Sequence, residues 1–311
     1  MVTTYRRARE QRIDSLVTGD DKGLSLWGSA WQRLRVSPLF WVGAVIVGLF
    51  LLLAIFGPLF APHDPGAQVL IGQTSRARNQ IAPPQEGFPL GGDTLGRDLF
   101  SRMLVGSRQT LLVGVLATTI GLIGGLILGI TAGAFGGWVD TVIMRIVDLN
   151  LAFPLILLAL AVVALLGASL RNLVIVMAIT TWMIYARVVR GLTLALREQE
   201  LVQAIRALGA HDTRIIARHV LPNVLPALMV IWTLEVARVI LMESALSFLG
   251  LGVPPPTPTW GRMLAEGRDY LVVAGWISIF PGIAIMVTVL GINFLGDGLR
   301  DLLDPRLRQQ T

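Results

Sequence analysis

Apolar runs alternate with polar segments along this chain, and the runs are long enough to cross a membrane. The first uncharged run is Leu39 to Phe60 and the second is Thr110 to Phe135. The third begins near Val139, passes Arg145 and Asp148, and continues to Leu166. The fourth, Leu173 to Val189, carries Arg187 near its end. The fifth, Val224 to Leu249, holds Glu235, Arg238 and Glu243, and the sixth is Leu271 to Leu295. About 20 apolar residues suffice for a helix to cross roughly 30 Å of hydrocarbon. The pattern therefore predicts an all-α polytopic membrane protein with six transmembrane helices. It divides the chain into a tail (1–38), a first span (39–60), a loop (61–108), a five-span domain (109–298) and a short tail (299–311).

One polar segment inside that domain breaks the pattern. Residues 197–223 read REQELVQAIRALGAHDTRIIARHVLPN. Leu201, Ala204, Ile205 and Leu208 recur there at helical spacing, which predicts a short helix with one apolar face. Gly209 stops that helix without steric cost, Asp212 is placed to cap a second one, and Pro222 predicts its end or a kink. Ten residues of helix reach only about 15 Å, too short to cross. The segment is predicted to be a handle at the membrane surface, within a cytoplasmic loop 191–223.

Composition agrees with the membrane class: 54% of residues are hydrophobic and 15% are charged, against about 25% charged in an ordinary soluble domain. There is no cysteine, which excludes thiolate catalysis and cysteine metal sites. His63, His211 and His219 lack metal-ligand spacing, so no metal site is expected. Lys22, the only lysine, is followed by Gly23, whereas a phosphate-binding loop needs Lys before Ser or Thr. No catalytic constellation is present, and any ATP that drives this chain binds to another subunit.

A net charge of +6 does not point to nucleic acid, because the arginines follow topology. Of the 26 basic residues, sixteen fall on the side of the N-terminus, the handle and the C-terminus, and eight on the other. That asymmetry predicts cytoplasmic termini. Residues 61–108 fit worst, with five arginines. Before the first span, Leu24, Trp27, Trp31 and Leu34 share a helical face beside Lys22, Arg33 and Arg35, a pattern suited to a helix lying in the inner interface.

Within the spans, Gly121, Gly125, Gly129, Gly133 and Gly137 form a stripe that lets a neighbouring backbone approach closely. Pro154 and Pro281 predict bends. Charged residues in hydrocarbon cost about 2.5–3.5 kcal/mol each on insertion scales. Arg145 with Asp148, and Glu235 with Arg238, are three apart and are expected to pair on one helix face; Glu243 has no local partner. These five either hold helices together or line a translocation path. VPPPTP at 253–258 reads as a stiff polyproline-like segment.

The handle resembles the Glu-Ala-Ala loop of ABC importer permeases. Gln203, Ala204 and Ile205 stand where that pattern has Glu-Ala-Ala, Gly209 matches its glycine, and Leu221 and Pro222 match its Leu-Pro. His219 replaces an isoleucine, but RHVLPN at 218–223 is similar to the dipeptide and oligopeptide subfamily. So are PLGGDTLGRDLFSR (89–102), GGWVDTVIMRIVDLNLAFP (136–154), ESALSFLGLGVPPP (243–256), WGRMLAEGRDY (260–270) and GDGLRDLLDP (296–305), in the family's order. The match is closest to the DppC/OppC type and covers about residues 36–306.

The resemblance implies a type I importer permease fold in a bacterial inner membrane. It implies a second, DppB/OppB-like permease, two ABC ATPase subunits that bind ATP and magnesium, and an extracytoplasmic substrate-binding protein. Glu200 to Gly209 would form a coupling helix set into an ATPase, with Glu200 and Arg206 at the rim of its groove. The implied cargo is a di- or oligopeptide. Nickel chelates, glutathione and other peptides are alternatives for the same machine, and an ion-coupled secondary transporter is the alternative of a different class.

Overall fold

The computed structural model describes residues 37–75 and 80–303. The tail helix expected around Leu24 to Leu34 lies outside the described residues. Among those residues the chain is helical, with only isolated two-residue bridges in the loop 61–98. Helix α1 is Pro38–Phe60, α2 Leu99–Phe135, α3 Gly137–Ala152, α4 Leu155–Leu166 and α5 Leu170–Arg197. Helix α6 is Glu200–Ala207 and α7 is Asp212–Ile215. A π-helical turn, Ile216–Val220, joins α7 to α8 (Leu221–Phe248); α9 is Trp260–Gly267 and α10 Trp276–Leu303.

Five helical stretches are long and apolar enough to cross, and α3 with α4 makes a sixth if that pair, bent by 89°, counts as one span. The glycine stripe decides that it does. A Cβ on Gly121 would meet Thr181, on Gly125 Tyr185 at 2.5 Å, on Gly129 Val189 at 2.6 Å and on Gly133 Thr193 at 2.7 Å. Both helices advance by four residues per contact in the same direction, so α2 and α5 are parallel and in register. By that register, the start of α5 lies level with about residue 110 of α2, some 39 Å back from Gly136 at 1.5 Å per residue. Only α3 and α4 lie between the two helices, so together they carry the chain back across. Gly137 departs from the expected stripe: it is the first residue of α3, at φ 55°, and a Cβ added there would meet nothing within 4 Å.

The remaining helices complete six crossings. Gly43 of α1 faces Gly291 and Leu295 of α10, and Gly298 faces Phe40. These two helices are therefore antiparallel, and both ends of the described chain lie on the side of α6. The opposite end carries the loop 61–98 and α9.

Several expected boundaries move. The second span begins at Leu99, not near Thr110, because Asp98 caps it through the backbone N–H groups of Phe100 and Ser101. The loop is shortened to 61–98 accordingly. The last helix runs to Leu303, past the expected tail boundary at 299. Pro222 does not end a helix: the π-helical turn widens the coil just before it, and Asp212–Phe248 reads as one 37-residue span. Widening relieves the clash between a proline ring and the carbonyl one turn back. The VPPPTP segment turns at Pro255 and Pro256 instead of running straight, which returns Thr259 to the membrane helices.

Candidate functional site

The handle takes the form of a short helix tethered at both ends. Val202 is its anchor, 3% exposed, packed with Ile215, Val220 and Val224 of the α7–α8 stretch and Tyr185 and Val189 of α5. Sequence spacing assigned the apolar face to Leu201, Ala204, Ile205 and Leu208 and missed Val202. Of that face, Ile205 is half-buried, while Leu201 (61% exposed) and Leu208 (89%) stand free with Ala204. Glu200, Gln203 and Arg206 are exposed around them.

Gly209 adopts φ 86°, a backbone region that disfavours side chains, and its N–H bonds to the Arg206 carbonyl. Asp212 does not cap α7: the residue before that helix is His211, and Asp212 instead accepts a 2.8 Å hydrogen bond from Arg206. That ion pair closes the turn between α6 and α7. His219 lies in the π-helical turn, and its carbonyl accepts from the Asn223 side chain at 2.6 Å. Leu221 and Pro222 open α8.

The membrane charges sort into three environments. Glu235 and Arg238 pair at 2.6 Å, as their spacing predicts. Glu243 is fully buried and accepts from Ser247 at 2.8 Å and from Thr259 at 3.0 Å. It therefore ties α8 to the start of α9. Thr259 also caps α9, accepting from the Arg262 N–H at 3.1 Å. Arg145 and Asp148 do not pair with each other. Asp148 pairs with Arg187 of α5, Asp140 pairs with Arg190, and Arg145 is exposed with no ion-pair partner among the described residues.

At the opposite end the charges are sealed. Arg97 contacts Asp93 at 2.6 Å and Glu266 at 3.2 Å; Arg102 contacts Asp93 at 3.3 Å and Glu266 at 3.2 Å. Arg262 adds a 3.0 Å contact to the second oxygen of Glu266. Asp98 accepts from Ser101 at 2.6 Å and contacts His63 at 3.1 Å, and the His63 ring stacks on Phe88. The Trp260 indole donates to the Met103 carbonyl at 3.0 Å and the Trp276 indole to the Gly92 carbonyl at 3.2 Å. The loop is thus a packed cap joined to α2, α9 and α10. Its excess of arginine was the weakest part of the charge pattern, and here Arg97 and Arg102 are neutralised by their neighbours.

Among the described residues, no group of three acidic or histidine side chains has metal-site geometry.

Comparison with known proteins places this arrangement. Residues 125–309 match the family described as binding-protein-dependent transport system inner membrane component, and residues 25–84 match the N-terminal TM domain of oligopeptide transport permease C. The dipeptide transport system permease protein DppC of Alkalihalophilus pseudofirmus is 43% identical, over 92% of this chain and 91% of that protein. The glutathione transport system permease protein GsiD of Escherichia coli O6:K15:H31 is 43% identical, over 91% of each. The probable D,D-dipeptide transport system permease protein DdpC of Escherichia coli K12 is 44% identical, over 88% of this chain and 89% of that protein. Among solved structures, an inward-facing MetNI methionine ABC transporter matches with a TM-score of 0.52 at 21% identity, over 64% of this chain and 95% of that one. That last likeness concerns the fold alone. Six crossings, a tethered surface helix and relatives matched over nine-tenths of the chain lead to one assignment: the chain belongs to the binding-protein-dependent transport system inner membrane components, as a DppC/OppC-like permease subunit of an ABC importer.

Proposed function

We propose that this subunit carries short peptides into a bacterial cell. It forms half of the pore beside a second, homologous permease, and its termini and α6 face the cytoplasm. Two ATPase subunits bind ATP and magnesium and grip α6, while an extracytoplasmic binding protein delivers the cargo. Short peptide is the class shared by the relatives' names, since glutathione is itself a modified tripeptide. The chain has no phosphate-binding loop of its own.

The observation that carries the coupling reading is the exposure of Leu201 and Leu208 on a helix otherwise fastened to the spans. Exposed apolar side chains outside the spans mark a surface made for a partner. Val202, the Arg206–Asp212 pair and Gly209 fix the helix, so a force on it reaches α5 and α8. Glu200 and Gln203 sit at the rim and offer polar contacts to the ATPase.

The test is reconstitution of the complete complex in liposomes with a peptide-loaded binding protein. ATP-dependent peptide uptake is expected. Gly209→Pro, whose ring cannot reach φ 86°, is expected to abolish uptake while the spans still insert. Full uptake by that variant rejects the coupling role of α6.

A further inference from the structure

The exposed charges on α3 and α5 lie inside helices that belong to the spans, where a charge facing lipid is costly. Asp148 is eleven residues into α3, about 16 Å along the helix axis from Gly137 at 1.5 Å per residue. Its partner Arg187 gives an independent level. By the α2–α5 register it lies beside residue 127 of α2, about 12 Å short of Phe135. Both figures put the pair two or more turns in from the α6-side ends of their helices, within stretches that belong to the spans. Yet the two side chains are 54% and 55% exposed.

Arg145 and Thr141 extend the same face. Thr141, Arg145 and Asp148 are exposed at helical spacing, while Met144 and Val147 on the other side of α3 pack on Trp182, Met183 and Ala186 of α5. The face therefore carries two arginines against one carboxylate.

A second observation points the same way. The helix breaks one turn past Asp148, at Phe153 and Pro154, and these residues are exposed too. Broken backbone at membrane depth is tolerated only inside protein or beside water. In transporters, interrupted helices near the midplane are where substrates are held.

We propose that Arg145, Asp148 and Arg187 form a water-lined station on the translocation path, where Arg145 takes a carboxylate of the passing substrate. Asp148 holds Arg187 in place and balances its charge. Arg145, with no anion of its own, is the cation left for the ligand. The inference rests on the peptide-importer reading for the identity of its ligand, since every unblocked peptide ends in a carboxylate.

The chain lacks cysteine, so Arg145→Cys and Thr141→Cys can be made in it directly, the second being nearly isosteric. Each is assembled into the full complex in liposomes and treated with a charged, membrane-impermeant thiol reagent on both faces, with ATP and with a trapped transition-state analogue. Labelling in at least one state, slowed by transported peptide, is expected. Absence of labelling at both positions in every state, with the Thr141→Cys complex still taking up peptide, overturns the proposal and leaves this face as a contact with the second permease.

Uptake then tests the carboxylate. Arg145→Gln is expected to lower peptide uptake at least tenfold while binding-protein-stimulated ATP hydrolysis persists, and Arg145→Lys to restore most of it. Equal uptake by Gln and Lys variants removes the ligand role. A parent complex that moves no peptide under any condition, while its Thr141→Cys variant labels, refutes the cargo reading and not the water-lined face.

Discussion

The two ends of this molecule use arginine in opposite ways. At the loop end, Arg97, Arg102 and Arg262 converge on Asp93 and Glu266, and Arg97 and Arg102 are almost wholly buried. At the handle end, Arg206 spends its charge on one exposed contact to Asp212, while Leu201 and Leu208 are left uncovered. One end is closed within the chain, and the other leaves apolar side chains open. Stability and coupling should therefore separate cleanly between the two ends.

The sharpest way to break that contrast is Glu266→Ala. It removes the shared acceptor of three arginines and leaves two buried guanidinium groups on the single carboxylate of Asp93, and breaking a buried pair costs about 3–5 kcal/mol. A large drop in thermal stability in detergent, or failure to accumulate, is expected. A variant as stable as the parent would mean that the cap is not structural.

Glu243→Ala should act in the same direction but less strongly. It orphans the Ser247 and Thr259 hydroxyls, at about 1–3 kcal/mol. Glu243→Gln keeps an acceptor oxygen and should recover most of the loss. If Gln behaves like Ala in a thermal melt, the charge itself matters and the strut reading fails.

At the handle end the stability effects shrink. Gly209→Ala forces a side chain into a left-handed conformation, worth about 1–2 kcal/mol, and the strain falls on the α6–α7 turn alone. Peptide uptake should drop while the melting temperature moves only slightly. Smallest in stability is the double change Leu201→Glu with Leu208→Glu, expected within about 0.5 kcal/mol because both side chains are already exposed. Co-purification of the ATPase subunits should nevertheless be lost. Retention of the ATPases by this variant would assign their grip to another surface.

The same contrast governs what the sequence could convey. Long apolar runs announce spans, and the short helix was legible from four residues and a glycine. The start of α2 was hidden because Arg102 and Ser107 interrupt its apolar pattern, although both are buried, Arg102 against the distant Glu266 and Ser107 with its hydroxyl on the Leu104 carbonyl. Glu243 read as unpartnered because Thr259 lies sixteen residues on, past a proline-rich turn. Arg145 and Asp148 read as a local pair, but Arg187 on another helix outcompetes Arg145 for the carboxylate. Local spacing found the Glu235–Arg238 pair, which forms within one helix. Interactions closed inside an element were visible, and those closed by tertiary packing were not.

The glycine seam between α2 and α5 also has a mechanical consequence. Four interlocked contacts, each a full turn apart, leave no small step by which one helix can slide along the other. The pair must therefore rotate as one beam. One end of that beam reaches the α6 tether through Arg197, which bonds the Ala134 carbonyl at 3.1 Å. The other end is clamped by Asp98 and Arg102 into the cap. If α6 is displaced, these contacts carry the movement along the beam to the cap as tilt.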